Sequence, residues 1–307
     1  MAHNFRTDVA IDWCPGCGDF GILTALTQAF TELNLDPKNL AMISGIGCSG
    51  KTPHYVNAAG MHTLHGRGIP FATGVKLANP NLKVVLTGGD GDLLSIGAGH
   101  FVAEGRRNTG ITVVLFDNQV YGLTKGQAAP TMALGMQTKS LTRPNVFGQV
   151  NPVALALASG YTFVARGFSF DTKQLKEIIK KSIMHDGSSL IDVLQPCPTY
   201  NNINTMEVYR QKVYKLEDDE SWNPTINESN ADQFEEIYQK AFMKSLEMEK
   251  RIPTGIFYEN NTIPSFTKRI NEQVKGYLEN PPALQVVSGS GVPKMNVEQT
   301  FRDKVLQ

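Results

Sequence analysis

The chain has 307 residues with 29 Lys and Arg against 29 Asp and Glu, so it is neutral overall and carries no basic footprint for nucleic acid. No apolar run reaches the roughly 18 residues of a membrane span, since the richest, Pro152 to Ala165, is broken by Ser159 and Gly160. The start, Met1 to Arg6, lacks a hydrophobic secretory core, and the expectation is a cytoplasmic chain whose thiols stay reduced.

In chain order, the first motif is Trp13-Cys14-Pro15-Gly16-Cys17-Gly18. A helix follows it directly, with Phe20, Leu23, Leu26, Phe30 and Leu33 at spacings of three or four. Thiolates at that position gain from the helix N-terminus. A strand from Leu40 to Ser44 then enters the glycine-rich turn Gly45-Ile46-Gly47-Cys48-Ser49-Gly50-Lys51. With Thr52 this turn matches the phosphate-loop pattern literally, and it follows a strand as that pattern requires. Pro53 stands where the phosphate-binding helix would begin, and a cysteine occupies the anion cradle, which disfavours a nucleotide site. Lys51 is then available to pair with a substrate carboxylate.

Lys83 to Thr87 is β-rich, Leu93 to Arg107 suits a helix, and Ile111 to Asp117 is a second β-branched run, together one βαβ unit. The first strand delivers Asp90, in Gly88-Gly89-Asp90-Gly91-Asp92, to the carboxyl edge of a parallel sheet. The second delivers Asn118 to the same edge, where glycines let backbone approach an anion. One carboxylate, one amide oxygen and a backbone carbonyl just past the strand make a hard-oxygen Mg²⁺ site that diphosphate oxygens and water can complete. A tight turn of Gly and Asp is the plain alternative. An EF-hand fits worse, because its other ligand positions and terminal Glu are absent.

Asp171 to Met184 reads as a helix with the stripe Leu175, Ile178, Ile179 and Ile183, and Leu190 to Gln195 as a strand. Past it, the polar run Glu217 to Ser221 marks a loop and Ala231 to Arg251 an amphipathic helix. The last third has too little apolar content for an independent core. The expected organisation is a catalytic domain over residues 1–200 and a C-terminal extension over 201–307 that wraps the core or a partner chain.

Cys14, Cys17, Cys48 and Cys197 each stand just before a helix or just after a strand. In an open α/β sheet such ends share one edge, so four thiolates can converge there. A thioredoxin-like pair needs a preceding strand and leaves Cys48 and Cys197 idle. A structural zinc site normally pairs two close knuckles, whereas the third and fourth cysteines lie 31 and then 149 residues further on. A [4Fe-4S] cluster tolerates such scatter. Spacing alone leaves zinc and cluster near parity, with four unrelated buried cysteines as the bland alternative.

Asn118 lies 28 positions after Asp90, a spacing that resembles the magnesium-diphosphate motif of thiamine diphosphate enzymes. Joined to the WCPGCG opening, the GIGCSGK turn, the stretch Thr63 to Pro80 and Gln195-Pro196-Cys197-Pro198, it resembles the beta subunit of the archaeal-type 2-oxoacid:ferredoxin oxidoreductases. The resemblance implies an α/β, doubly wound, mostly parallel sheet of the thiamine diphosphate-binding type with a C-terminal extension. It implies Mg²⁺ on Asp90, the Asn118 side chain and the Val120 carbonyl, with Gly91 and Asp92 against the diphosphate. Further cofactor contacts fall on Ile46, Gly47, Cys48, Ser49, His65, Gly122 and Leu123. The neighbouring thiamine site tips the cysteines toward one [4Fe-4S] cluster on Cys14, Cys17, Cys48 and Cys197. Lys51 and Lys125 are candidate substrate contacts.

The implied activity is coenzyme A-dependent oxidative decarboxylation of a 2-oxoacid such as pyruvate or 2-oxoglutarate, with electrons passed to ferredoxin. It requires a larger alpha subunit presenting a Glu to the aminopyrimidine ring, since only the diphosphate half is recognisable in this chain. Two rivals are a non-oxidative thiamine decarboxylase or synthase, and a zinc-stabilised non-catalytic binding subunit.

Overall fold

The computed structural model describes residues 3–286, 288–289 and 292–293. Its backbone is one nine-stranded sheet. The strands are β1 (Leu40–Ser44), β2 (Ala59–His62), β3 (Lys83–Gly89), β4 (Thr112–Asp117), β7 (Phe163–Phe168), β8 (Ser189–Leu194), β9 (Val213–Lys215), β10 (Thr225–Ile226) and β11 (Ile252–Asn260). A separate hairpin, β5 (Val120–Tyr121) with β6 (Gln127–Ala128), follows β4.

The sheet order is β10-β11-β7-β8-β4-β3-β1-β2, with β9 also on β11. From β2 to β7 every pairing is parallel, and β11 joins β7 antiparallel. Parallel strands need crossovers, and α2 (Gly68–Ala78), α3 (Ala98–Arg107), α4 (Pro152–Ser159) and α5 (Thr172–Met184) supply them, while α1 (Asp19–Glu32) precedes the first strand and packs beside α5.

Every residue of β1, β4, β7 and β8 is buried, as expected where helices cover both faces. Along β4, Val114 and Phe116 enter the core beneath α1 and α5, while Val113 and Leu115 enter the opposite core with Phe101 and Leu157. The period-2 alternation of a strand thus feeds two separate apolar layers.

Two local differences from the sequence reading have physical causes. The helix expected over Leu93 to Arg107 starts as a π turn, Asp92–Ile96, and becomes α3 only after Gly97. A Cβ on Gly97 would stand 2.6 Å from the Asp92 carbonyl, so only glycine lets the chain pass there. The helix expected over Ala231 to Arg251 is α7, Phe234–Ser245, preceded by 3₁₀ turns that Asn230 interrupts at φ −137°.

Residues beyond 200 do more than wrap the core, because β11 and its neighbours extend the central sheet itself. Short helices α6 (Met206–Lys212) and α8 (Phe266–Gln273) complete the described part. Residues 294–307 of the expected extension lie outside the described residues. Among the described residues no helix is long and apolar enough to cross a membrane.

Candidate active site

The turns that leave β1, β3 and β4 meet around a cavity of about 300 Å³. Ile46, Gly47, Cys48, Ser49, His65, Gly91, Asp92, Asn118, Gly122 and Leu123 all line it, together with Asp90 and Val120. A larger cleft of about 770 Å³ lies between α2, α3 and α8, bordered by Arg106, Arg107 and Arg269. It contains no carboxylate and none of the strand-end turns, so the smaller cavity is the candidate site.

Asp90 is buried, and its Oδ2 accepts the Gln119 N–H at 3.0 Å and the Thr131 hydroxyl. Burial pushes its carboxyl up to about 7, and the nearby charge of Asp192 adds to this. Among the described residues no Lys, Arg or His forms an ion pair with it. A carboxylate buried without a counter-charge suits a divalent cation. Asn118 Oδ1 accepts the Val120 N–H at 3.0 Å, while its Nδ2 donates to Gln195 Oε1 at 2.8 Å. The hard-oxygen donor set of Asp90, Asn118 and Val120 therefore fits Mg²⁺ chemically.

Asp92, expected against the diphosphate, has another task as well. Its Oδ1 accepts the N–H of Ile46 at 3.1 Å and of Gly66 at 2.7 Å, and lies 2.7 Å from His65 Nδ1. One buried carboxylate thus pins the 45–51 turn and the 65–66 turn to the π turn that follows β3. Gly45 has no side chain because a Cβ there would stand 1.7 Å from Asp92 Oδ2.

All four cysteines are free thiols; Cys14 is exposed, Cys17 and Cys197 are buried, and Cys48 is intermediate. Cys48 and Cys197 flank Gly122, whose Cβ position is 3.6 Å from one sulfur and 3.8 Å from the other. Cys17 N–H donates to the Cys14 carbonyl at 3.0 Å, and Trp13 Nε1 donates to the Cys48 carbonyl at 2.8 Å, tying the CxxC turn to the 45–51 turn.

The Asp19 N–H at the start of α1 lowers the Cys17 thiol, but other causes outweigh it. Burial, reinforced by Asp19, pushes it well above the usual range, and burial likewise pushes Cys48 up to about 12 and raises Cys197. Among the described residues no three His, Cys, Asp or Glu side chains gather closely enough to hold a single metal ion.

The two candidate lysines lie outside the cavity lining. Lys51 Nζ pairs with Asp12 Oδ2 at 2.7 Å, and Tyr55 donates to the other Asp12 oxygen at 2.6 Å. Lys125 is exposed on the turn that follows Leu123 and Thr124, at φ 79°. Sequence reasoning missed Thr131, Gln195 and the fully buried pair Arg166–Asp192, 2.8 Å apart. Gln195 had a visible signal, its place beside Cys197; Thr131 lies in an irregular loop and had none.

Residues 45–193 match the thiamine pyrophosphate enzyme, C-terminal TPP binding domain, and residues 197–275 match the C-terminal family of the pyruvate ferredoxin oxidoreductase beta subunit. The 2-oxoacid:ferredoxin oxidoreductase subunit beta of Saccharolobus solfataricus is 55% identical over 295 residues, 95% of this chain and 96% of the relative. The 2-oxoacid:ferredoxin oxidoreductase 1, subunit beta, of Aeropyrum pernix is 57% identical over 286 residues, 93% of this chain and 89% of the relative. A solved 2-oxoglutarate:ferredoxin oxidoreductase from Magnetococcus marinus, with 2-oxoglutarate, coenzyme A and succinyl-CoA bound, superposes at TM-score 0.82 and 33% identity. That match covers 99% of this chain and 95% of the other. With a thiamine-binding domain over residues 45–193 and near-complete coverage by these relatives, the chain belongs to the beta subunits of the 2-oxoacid:ferredoxin oxidoreductases.

Proposed function

We propose that this beta subunit holds thiamine diphosphate through Mg²⁺ in the strand-end cavity and a [4Fe-4S] cluster on Cys14, Cys17, Cys48 and Cys197. The reaction served is coenzyme A-dependent oxidative decarboxylation of a 2-oxoacid with ferredoxin as acceptor. The observation that carries this reading is the position of Cys48, which lines the cofactor cavity and shares Gly122 as a neighbour with Cys197. One turn thereby serves both centres.

When bound, thiamine diphosphate supplies an electron sink for loss of CO₂ and the cluster supplies single-electron transfer. The chain's own residues bind and orient. Asp90, Asn118 and the Val120 carbonyl hold Mg²⁺, Gly91 lets backbone approach the diphosphate, and His65, fixed through Nδ1 by Asp92, serves a phosphate oxygen.

Of the two lysines, Lys125 follows directly on the cavity-lining Leu123 and Thr124 and is the better partner for the distal carboxylate of a substrate such as 2-oxoglutarate. Lys51 would have to leave Asp12 to do so. Residues 1–200 form the catalytic part and those beyond 200 the extension, and an alpha subunit presents the Glu that activates the aminopyrimidine.

Anaerobic purification of the alpha–beta assembly tests this. About four irons and four sulfides per beta chain are expected, with ferredoxin reduction that needs 2-oxoacid, coenzyme A, thiamine diphosphate and Mg²⁺. Stoichiometric zinc without sulfide would sink the cluster assignment, and full turnover by the beta chain alone would sink the division of labour.

A further inference from the structure

We infer that Gln195 is a positioning residue that links the magnesium site to the cysteine site, orienting Asn118 with its carbonyl and Cys17 with its amide N–H. The inference rests on the proposed Mg²⁺ and cluster assignments and adds a residue that neither contains.

Gln195 is buried at the end of β8 and fixed by its own backbone, whose N–H donates to the Asp117 carbonyl at 2.8 Å. Gly18 makes room for it, since a Cβ there would stand 2.9 Å from Gln195 Cγ and 3.3 Å from its Cα. The same seam is closed by the Gly18 N–H, which donates to the Pro196 carbonyl at 3.2 Å.

The amide of Gln195 has only one workable orientation. Nε2 lies 2.7 Å from the Pro196 carbonyl and 3.3 Å from Cys17 Sγ, and a carbonyl and a metal-bound thiolate both accept. The NH₂ must therefore face them, which turns Oε1 toward Asn118. Asn118 then has to present Nδ2, 2.8 Å away, and its own Oδ1 is left on the side of the Val120 N–H. The side-chain oxygen proposed as a Mg²⁺ ligand is thus selected, one amide removed, by a backbone carbonyl. Ligand orientation by a neighbour of this kind typically matters roughly ten- to a hundredfold in metal affinity.

The other half of the link acts on the cluster. An N–H aimed at a ligating sulfur stabilises the extra negative charge of the reduced state, so its loss moves the midpoint to more negative potential. Asn118, Gln195 and Cys17 also form a continuous hydrogen-bonded path between the two sites.

The test uses the anaerobic alpha–beta assembly at pH 8, with iron and sulfide analysis, a redox titration followed by electron paramagnetic resonance, and Mg²⁺-dependent binding of thiamine diphosphate. Gln195→Met keeps the volume and removes both contacts. It is expected to shift the midpoint negative and to raise the Mg²⁺ concentration for half-saturation by roughly ten- to a hundredfold. Gln195→Glu keeps an acceptor for Asn118 and loses the N–H, so it should shift the midpoint negative while Mg²⁺ half-saturation stays near wild type. If Gln195→Met does not assemble, the glutamate variant alone decides by that split. A wild type without stoichiometric iron and sulfide would overturn the cluster assignment and this inference with it. A wild type that holds the cluster, beside variants with an unmoved midpoint and unmoved Mg²⁺ half-saturation, overturns the inference alone.

Discussion

The hydroxyl of Thr131 hydrogen-bonds the carboxylate of Asp90 and also lies 2.7 Å from Asp117 Oδ1. One hydroxyl proton cannot serve two carboxylates, and burial with the charges of Asp192 and Asp90 raises the Asp117 carboxyl well above its usual range. Thr131 thus stands between two buried carboxylates and fixes the orientation of Asp90. Thr131→Val should raise the Mg²⁺ half-saturation for thiamine diphosphate binding by roughly tenfold or more, and Thr131→Ser should restore it. Calorimetric titration checks both, and equal affinity in the valine variant would refute the support.

A pH dependence follows from Asp90, whose carboxyl sits at about 7 in the metal-free fold. Mg²⁺ requires the ionised form. Above pH 7 the site is ready and binding is flat; below it a proton must be displaced, and half-saturation should rise by up to about tenfold per unit. The same raised value means the metal-free fold loses stability as pH climbs from the unfolded carboxyl range through 7. Titrations at pH 6 and pH 8 decide, and identical Mg²⁺ requirements would contradict the buried environment.

Much of this site was legible because its parts are local. The strands Leu40–Ser44 and Lys83–Gly89 announce themselves by β-branched, apolar runs, and the turns after them by glycines. Parallel topology then forces their carboxyl ends to one edge, so residues 46–49, 90–92 and 118–123 converge whatever the details. Legibility stops where a contact has no local cause. Strand Ile252–Asn260 pairs with β7 across about ninety residues of sequence, and nothing near it reveals that partner. The Arg166–Asp192 pair looks, in sequence, like two ordinary charges in two ordinary strands.

That pair yields the third prediction. Both side chains are fully buried, 2.8 Å apart, with the guanidinium 5.5 Å from the Phe257 ring. Arg166→Met strands the Asp192 charge beside Asp117 and should destabilise the fold by about 3 to 5 kcal/mol. Replacing both, Arg166→Met with Asp192→Leu, should recover most of that loss. Chemical denaturation of the four species closes the cycle, and a double variant as weak as the single one would mean that shape, not charge, is at fault.

The cysteines yield a fourth. Burial raises the thiols of Cys17, Cys48 and Cys197, so in the cluster-free fold they remain protonated where an unfolded chain would ionise. Their contribution to stability is complete below the unfolded thiol range and is lost as pH rises beyond about 9. Each thiol removes up to about 1.4 kcal/mol per pH unit there. Denaturation of the chelator-stripped assembly at pH 8 and pH 10 measures it, and an assembly carrying the proposed cluster, whose thiolates would already be ionised, should fall far less over the same interval.

Gly91 tests whether the diphosphate turn is built for close approach or is only a turn. Its φ is an ordinary −64°, so alanine meets no backbone strain. The obstacle is spatial: a Cβ at Gly91 would stand 2.4 Å from Tyr121 Cε1 and 2.7 Å from Cδ1. Tyr121 lines the cavity and is only partly buried, so its ring can yield, but it yields within the cofactor space. Gly91→Ala should therefore leave the melting temperature close to wild type, since the ring gives way into the open cavity, and weaken Mg²⁺-dependent thiamine diphosphate binding by about tenfold or more, because bound cofactor confines the ring and the overpacking of about 1 to 3 kcal/mol then falls on the complex. Trimming the ring with Tyr121→Ala in the same chain should return part of the affinity, a coupling that only direct contact produces. Binding isotherms for the wild type, the two single variants and the double variant measure that coupling. Strictly additive losses would show that the tyrosine ring is not what keeps position 91 a glycine.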